Sequence, residues 1–219
     1  MDDDRYVGFP PGFFARTDPG DDARFYEAPR LVTHIDGDAI AAVGAVYAEL
    51  GLDGAAPAPV HVLDLMSSWV SHFLVPPAGL TIVGMNRAEL ARNPAATDRV
   101  VVDLNDDPVL PFADRSFDGA TCCVSVDYLV RPLEVFAEVV RVLRPGAPFV
   151  CTFSNRCFPT KAIHGWLAAD DSGRATIVGE YFRRTPGFGP PDAVRVTPEG
   201  HRGDPLYAVW ARCEEFTAP

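Results

Sequence analysis

Apolar positions along the chain follow two periods. Five short continuous apolar runs predict strands buried on both faces: VHVLDLM (60–66), LTIVGM (80–85), RVVVDL (99–104), DGATCCVSV (118–126) and PFVCTFS (148–154). Between them the spacing turns helical. Ile40, Val43, Tyr47 and Leu50 share one face over 36–50, where Asp36 or Asp38 can cap the start and Gly51 the end. RPLEVFAEVVRVL (131–143) is the clearest helix: Pro132 suits its first turn, Leu133, Phe136, Val140 and Leu143 form its stripe, and Pro145-Gly146 stops it. Strands alternating with helices or helix-sized gaps predict an α/β chain with a doubly wound, Rossmann-like, seven-stranded and mostly parallel sheet. A helical stretch near 172–184 then leads into DAVRVTP and PLYAVWARC across a Gly-rich connection, the pattern of an antiparallel hairpin closing the sheet. Residues 1–35 are rich in Pro, Gly, Asp and aromatics without a period, and predict an N-terminal arm or lid. Residues 36–219 read as one domain.

Composition narrows the partners. The 219 residues are 47% hydrophobic and 22% charged, an ordinary globular balance. With 19 basic and 30 acidic residues the net charge is −11, which repels phosphate backbones and anionic lipid, so neither nucleic acid nor membrane is the expected partner. No window approaches the roughly 20 apolar residues that span a bilayer, and the acidic start MDDDRYVG does not read as a signal peptide, so a cytoplasmic location is expected. Five cysteines at spacings that match no disulfide framework or zinc site predict reduced thiols and no metal. Oligomeric state is left open, a homodimer being one option. Lys161 is the sole lysine among 18 arginines, which marks it as a residue wanted for its amine.

In doubly wound sheets, ligands sit at the carboxyl ends of the strands. The residues there are Asp64 to His72 after the first run, Gly84-Met85-Asn86 after the second, Asp103-Leu104-Asn105 after the third, and Ser125 to Tyr128 after the fourth. The order VLDL, VGMN, VVDLN, LPFADRSFD and EVVRVLRPGAPFV resembles a class I S-adenosylmethionine-dependent methyltransferase of the type 11, small-molecule kind, over about residues 60–154. LPFADRSFD followed by EVVRVLRPG is its most specific part. MSSWVSH (66–72) and SNRCFPTKA (154–162) resemble a divergent subgroup of that family.

The resemblance implies S-adenosylmethionine as cofactor, held by Asp64, Met66, Ser67, Ser68, Met85, Asn86, Asp103, Leu104, Ser125 and Val126. It assigns the ribose to position 86 and the adenine amine to Asp103. The family's turn glycines are replaced by Met66, Ser67, Ser68, Trp69 and Val70, so hydroxyls of Ser67, Ser68 and Ser71 are expected to reshape that turn. Before the first helix, Tyr26, Arg30 and His34 are placed to seal the pocket, and Arg30 to pair with the methionine carboxylate.

The segment after the fifth strand faces the acceptor in the family. It adds Asn155, Arg156, Cys157 and Lys161, with Pro159-Thr160 expected to open a helix whose N-terminus favours an anion. Trp69 joins the acceptor wall. His72, Tyr128 and Lys161 are the catalytic candidates. Methyl transfer needs alignment more than acid–base work, and a thiol, with a pKa of about 8.5, needs little help at neutral pH. The leading expectation is therefore a methyltransferase acting on a small molecule, a small thiol among the acceptors. The alternative is a catalytically silent methyltransferase-like domain that binds a ligand or a protein. A nicotinamide oxidoreductase ranks third, because no G-x-G-x-x-G follows a strand.

Overall fold

A computed structural model describes residues 4–214. Its centre is a seven-stranded sheet in the order β3-β2-β1-β4-β5-β7-β6. The strands are β1 (His61–Leu65), β2 (Gly79–Gly84), β3 (Asp98–Val101), β4 (Gly119–Cys123), β5 (Pro148–Phe153), β6 (Asp192–Arg195) and β7 (Tyr207–Arg212). The first five run parallel, and β7 inserts antiparallel between β5 and β6. Each predicted strand is present with its ends shifted by up to three residues, and the tail forms the antiparallel pair that its spacing suggested. The helices are α1 (Asp22–Phe25), α2 (Gly37–Glu49), α3 (Arg87–Leu90), α4 (Pro132–Val142), α5 (His164–Ala168) and α6 (Asp171–Arg183).

Side-chain alternation along the strands divides the core into two layers. Val62, Leu80, Ile82, Val150 and Ala208 face α2, which brings Ala39, Val43, Val46 and Tyr47. Leu63, Val83, Phe149, Cys151 and Val209 face the other way, onto Phe136 and Val139 of α4 and Val178, Tyr181 and Phe182 of α6. Asp36 caps α2 by accepting from the Ala39 amide. Phe136 lies within ring contact of Phe149, Tyr181, Phe182 and Phe188.

Two helix-sized gaps hold no helix. Residues 66–78 after β1 and 102–118 after β3 are turns and irregular chain, and α3 after β2 is a single turn. The predicted helix opening at Pro159-Thr160 is also absent. That segment is turns, and α5 begins only at His164.

The N-terminal segment docks in two places. Tyr6, Phe9, Phe13 and Phe14 pack on the α4–α6 layer. Residues 22–34 then cross the carboxyl edge of the sheet, where Asp22, Tyr26, Arg30 and His34 line a cavity. Lys161 fastens this crossing. Its side chain is 1% exposed, and its ammonium lies 2.9 Å from Asp22 and 3.0 Å from Asp18 and donates to the Gly20 carbonyl. No helix of the described residues is long and apolar enough to cross a membrane.

Candidate active site at the carboxyl edge of the sheet

The cavity is walled by the chain leaving β1, β2, β3 and β4 and roofed by residues 22–34. Its floor is the turn after β1. Met66 stands in the left-handed region, with φ 52°, a conformation glycine adopts freely and other residues at a cost of about 1–2 kcal/mol. The glycine geometry therefore survives without the glycine. Asp64, buried, collects three hydroxyl donors: Ser67 at 2.6 Å, Ser71 at 2.7 Å and Thr121 at 2.7 Å. Asn93 donates to Ser71 Oγ and to the Ser68 carbonyl, and Ser68 Oγ donates to Glu89. These bonds do the fixing that a helix would otherwise do after β1. The glycine needed for close approach sits in β2 instead: a Cβ on Gly84 would lie 2.3 Å from the Ser67 carbonyl oxygen.

At the end of β2, Asn86 is fully engaged. Its Oδ1 caps α3 through the Ala88 and Glu89 amides, and its Nδ2 donates to the Tyr26 and Glu27 carbonyls of the arm. An amide has two donors and two acceptor sites, so nothing is left over for a ribose. Asn86 lines the cavity, and a ribose there has to displace one of these bonds. Met85 lines the cavity beside it. Trp69 also ties the arm, its indole N–H donating to the Val32 carbonyl.

At the end of β3, Asp103 accepts the Asn105 amide, while burial and the neighbouring Asp22 carboxylate push its pKa up. Leu104 and Asn105 continue the wall, and Asn105 binds Asp22, the Tyr128 carbonyl and the Val130 amide. At the end of β4, Val124 is again left-handed, with φ 45°, and Ser125 Oγ donates to the carbonyls of Met66 and Cys123. Strained non-glycine residues at two adjacent strand ends cluster at this cavity and nowhere else in the sheet.

His72 and His34 both line the cavity. Burial lowers the His72 pKa below the usual imidazole value, against the opposing charge of Asp64. Burial in turn raises Asp64, against its hydroxyl donors. Arg30 lies over the rings of Phe25, Tyr26 and Phe158, 4.5 to 5.7 Å from their centroids, and donates from Nη2 to the Phe25 carbonyl. Its Nη1 is buried without a protein partner. Tyr128 lines the cavity, its hydroxyl accepting from the Phe158 amide.

Several expected site residues stand elsewhere. Val126 is core, fully buried outside the cavity. Lys161 is spent on the arm's carboxylates and does not line the cavity. Arg156 points to Asp204 at the surface, Asn155 is exposed, and Cys157 lies outside the lining with its pKa raised by burial. From that segment Phe158 reaches the cavity instead. Phe158, Asp22, Tyr47 and Glu89 line it without having been expected there. Tyr47 reads as a core helix residue, and nothing in the sequence set Glu89 apart.

The most specific sequence stretch turns out to be scaffold. Arg141 of α4 donates to the Leu110 and Phe112 carbonyls and pairs with Asp114 and Glu138, while Glu138 accepts the Leu110 amide. This clasp holds the 110–114 segment against α4, and Arg141 keeps Glu138 below the usual carboxylate range.

Comparison with known proteins agrees with this geometry. The profile of a family described as "Methyltransferase domain" matches residues 70–151. Residues 70–151 thus resemble a methyltransferase domain, and the chain is similar to S-adenosylmethionine-dependent methyltransferases. The ubiquinone/menaquinone biosynthesis C-methyltransferase of Paracoccus denitrificans is 34% identical over 109 residues, 49% of this chain and 38% of that protein. The 24-methylenesterol C-methyltransferase 2 of Arabidopsis thaliana is 35% identical over 88 residues, 39% of this chain and 24% of that protein. The matched segments thus span well under two thirds of these relatives. In fold, the domain is similar to a methyltransferase from Aquifex aeolicus, with TM-score 0.54, 16% identity, and 88% of this chain and 97% of that one covered. It is also similar to the 1,6-didemethyltoxoflavin-N1-methyltransferase of Burkholderia thailandensis, solved with S-adenosylhomocysteine, with TM-score 0.56, 18% identity, and 82% and 80% covered.

Proposed function

We propose that this domain moves the methyl group of S-adenosylmethionine onto a small-molecule acceptor, with a small thiol as the favoured class. The carrying observation is a roofed cavity into which four neighbouring parallel strands deliver their ends. Its residues suit the cofactor. We assign Asp103 and Leu104, which line the cavity at the end of β3, to the adenine amine and ring. The left-handed Met66 and the turn of Ser67 and Ser68 leave room beside the end of β1 for the methionine moiety. Arg30 offers its unpartnered Nη1 to a carboxylate. When bound, the cofactor supplies a methyl group on a good leaving group.

The chain's own part is to align, exclude water and take a proton. Tyr26, His34, Trp69 and Phe158 enclose the acceptor space. His72, held neutral at pH 7 by burial, can accept a proton from the acceptor. A second reading, a silent ligand-binding domain, draws on Asp64 and Asn86 being occupied by internal bonds.

One assay separates them: transfer of labelled methyl to panels of small thiols, phenols and carboxylates. The proposal expects label on thiols, a rate that falls as pH drops below the His72 pKa, and loss of that pH limb in His72→Gln. Tight S-adenosylhomocysteine binding without transfer to any acceptor supports the silent domain.

A further inference from the structure

Resting on that reading, we infer that Glu89 is the carboxylate that binds the ribose hydroxyls of the adenosyl ligand, the task having moved one helical turn along from position 86. Asn86 has no free donor or acceptor. Glu89 lies three residues on, at the third position of α3. A glutamate there commonly turns back onto the N-cap amide. This one turns into the cavity instead.

Glu89 is 8% exposed, and only two donors reach its carboxylate. The Arg30 amide donates to Oε1 at 2.6 Å and Ser68 Oγ to Oε2 at 2.6 Å. A carboxylate has about four acceptor sites, so one remains on each oxygen. A buried charge left half-satisfied is costly, and a vicinal diol supplies two O–H donors at matching separation. The arrangement also couples recognition to closure. Asn86 and Glu89 both hold the arm, at Tyr26, Glu27 and Arg30. A ligand on Glu89 therefore strengthens the contact that roofs it.

The test compares S-adenosylhomocysteine with its 2′-deoxy and 3′-deoxy analogues by calorimetry on the full chain. Hydrogen bonds to an ionised acceptor are strong, so each deletion is expected to weaken binding by roughly tenfold or more. In Glu89→Gln the parent ligand is expected to bind about tenfold more weakly, and the penalty for the missing hydroxyl to shrink to within about twofold. In Asn86→Ala the melting temperature should fall while the penalty persists. A penalty kept in Glu89→Gln and lost in Asn86→Ala returns the ribose to position 86 and overturns the inference. Should Glu89→Gln not fold, the unaltered chain still decides, since deoxy analogues that bind as well as the parent overturn it. If the unaltered chain binds none of these compounds, the proposed function falls with it.

Discussion

The sheet has two differently built halves. Around β4, β5 and β7, order comes from packing: α4 and α6 lay apolar faces on the strands, and Phe136 alone meets four rings. Around β1, β2 and β3, α2 packs on one layer, the helices that would join these strands are missing or cut to one turn, and side-chain hydrogen bonds order the strand ends. Asp64, Ser71, Asn93, Ser68 and Glu89 form one continuous chain of them across the cavity floor. Packing is cooperative and indifferent to a ligand. A polar network in a concave site can exchange some of its partners for a ligand's, so the half proposed to hold the ligand is the half with fewer helices.

That contrast can be broken at four places. Phe136→Ala should cost about 4 kcal/mol by removing a fully enclosed ring. Chemical denaturation reads this, and ligand affinity measured on the folded fraction should not change. Lys161→Met should cost about 3 kcal/mol, because Asp22 and Asp18 lose their buried cation. The double change with Asp22→Asn should recover part of the loss, and the arm should become the first site of proteolysis.

The third place lies inside the packed half. Asp127 is fully buried, its Oδ2 has no hydrogen-bond partner, and burial pushes its pKa up to about 8. The folded chain therefore holds a proton there that the unfolded chain, with an ordinary Asp near 3.9, has released. Stability from this group is fullest below pH 4 and declines as pH rises toward 8, with a slope on the order of 1 kcal/mol per pH unit. Asp127→Asn should remove that slope from a denaturation series at pH 5 to 8. The smallest effect has the opposite sign. Met66→Gly should stabilise by up to about 1 kcal/mol, the relief of a left-handed side chain being partly offset by a more flexible unfolded chain.

The same division explains what could be read in advance. The parallel strands were legible as continuous apolar runs, and α2, α4 and α6 because burial imposes a period of 3.6 on the sequence. The clasp of Arg141 and Glu138 was legible as a family signature and proved to be scaffold. Asp64, Met66, Ser67, Ser68, Met85, Asp103, Leu104, Ser125, Tyr128 and Arg30 do line the cavity, because strand ends and the arm converge there. Lys161, Asn155, Arg156, Cys157 and Val126 do not. Residue chemistry suggested function for four of them, and only the path of the chain shows that Lys161 serves the arm and Arg156 a surface pair. Glu89 was hidden for the converse reason: a cap and a ligand carboxylate look alike at three-residue spacing, and only its bonds to Ser68 and Arg30 separate them.

The central claim is that the polar-built half is an adenosyl-ligand site despite its missing glycines. Calorimetric titration of the full chain with S-adenosylhomocysteine, with NAD as control, tests it most directly. The account predicts saturable binding in the micromolar range, weakened at least tenfold by Asp103→Ala, and none for NAD. No binding by a folded sample freed of co-purified ligand would contradict it.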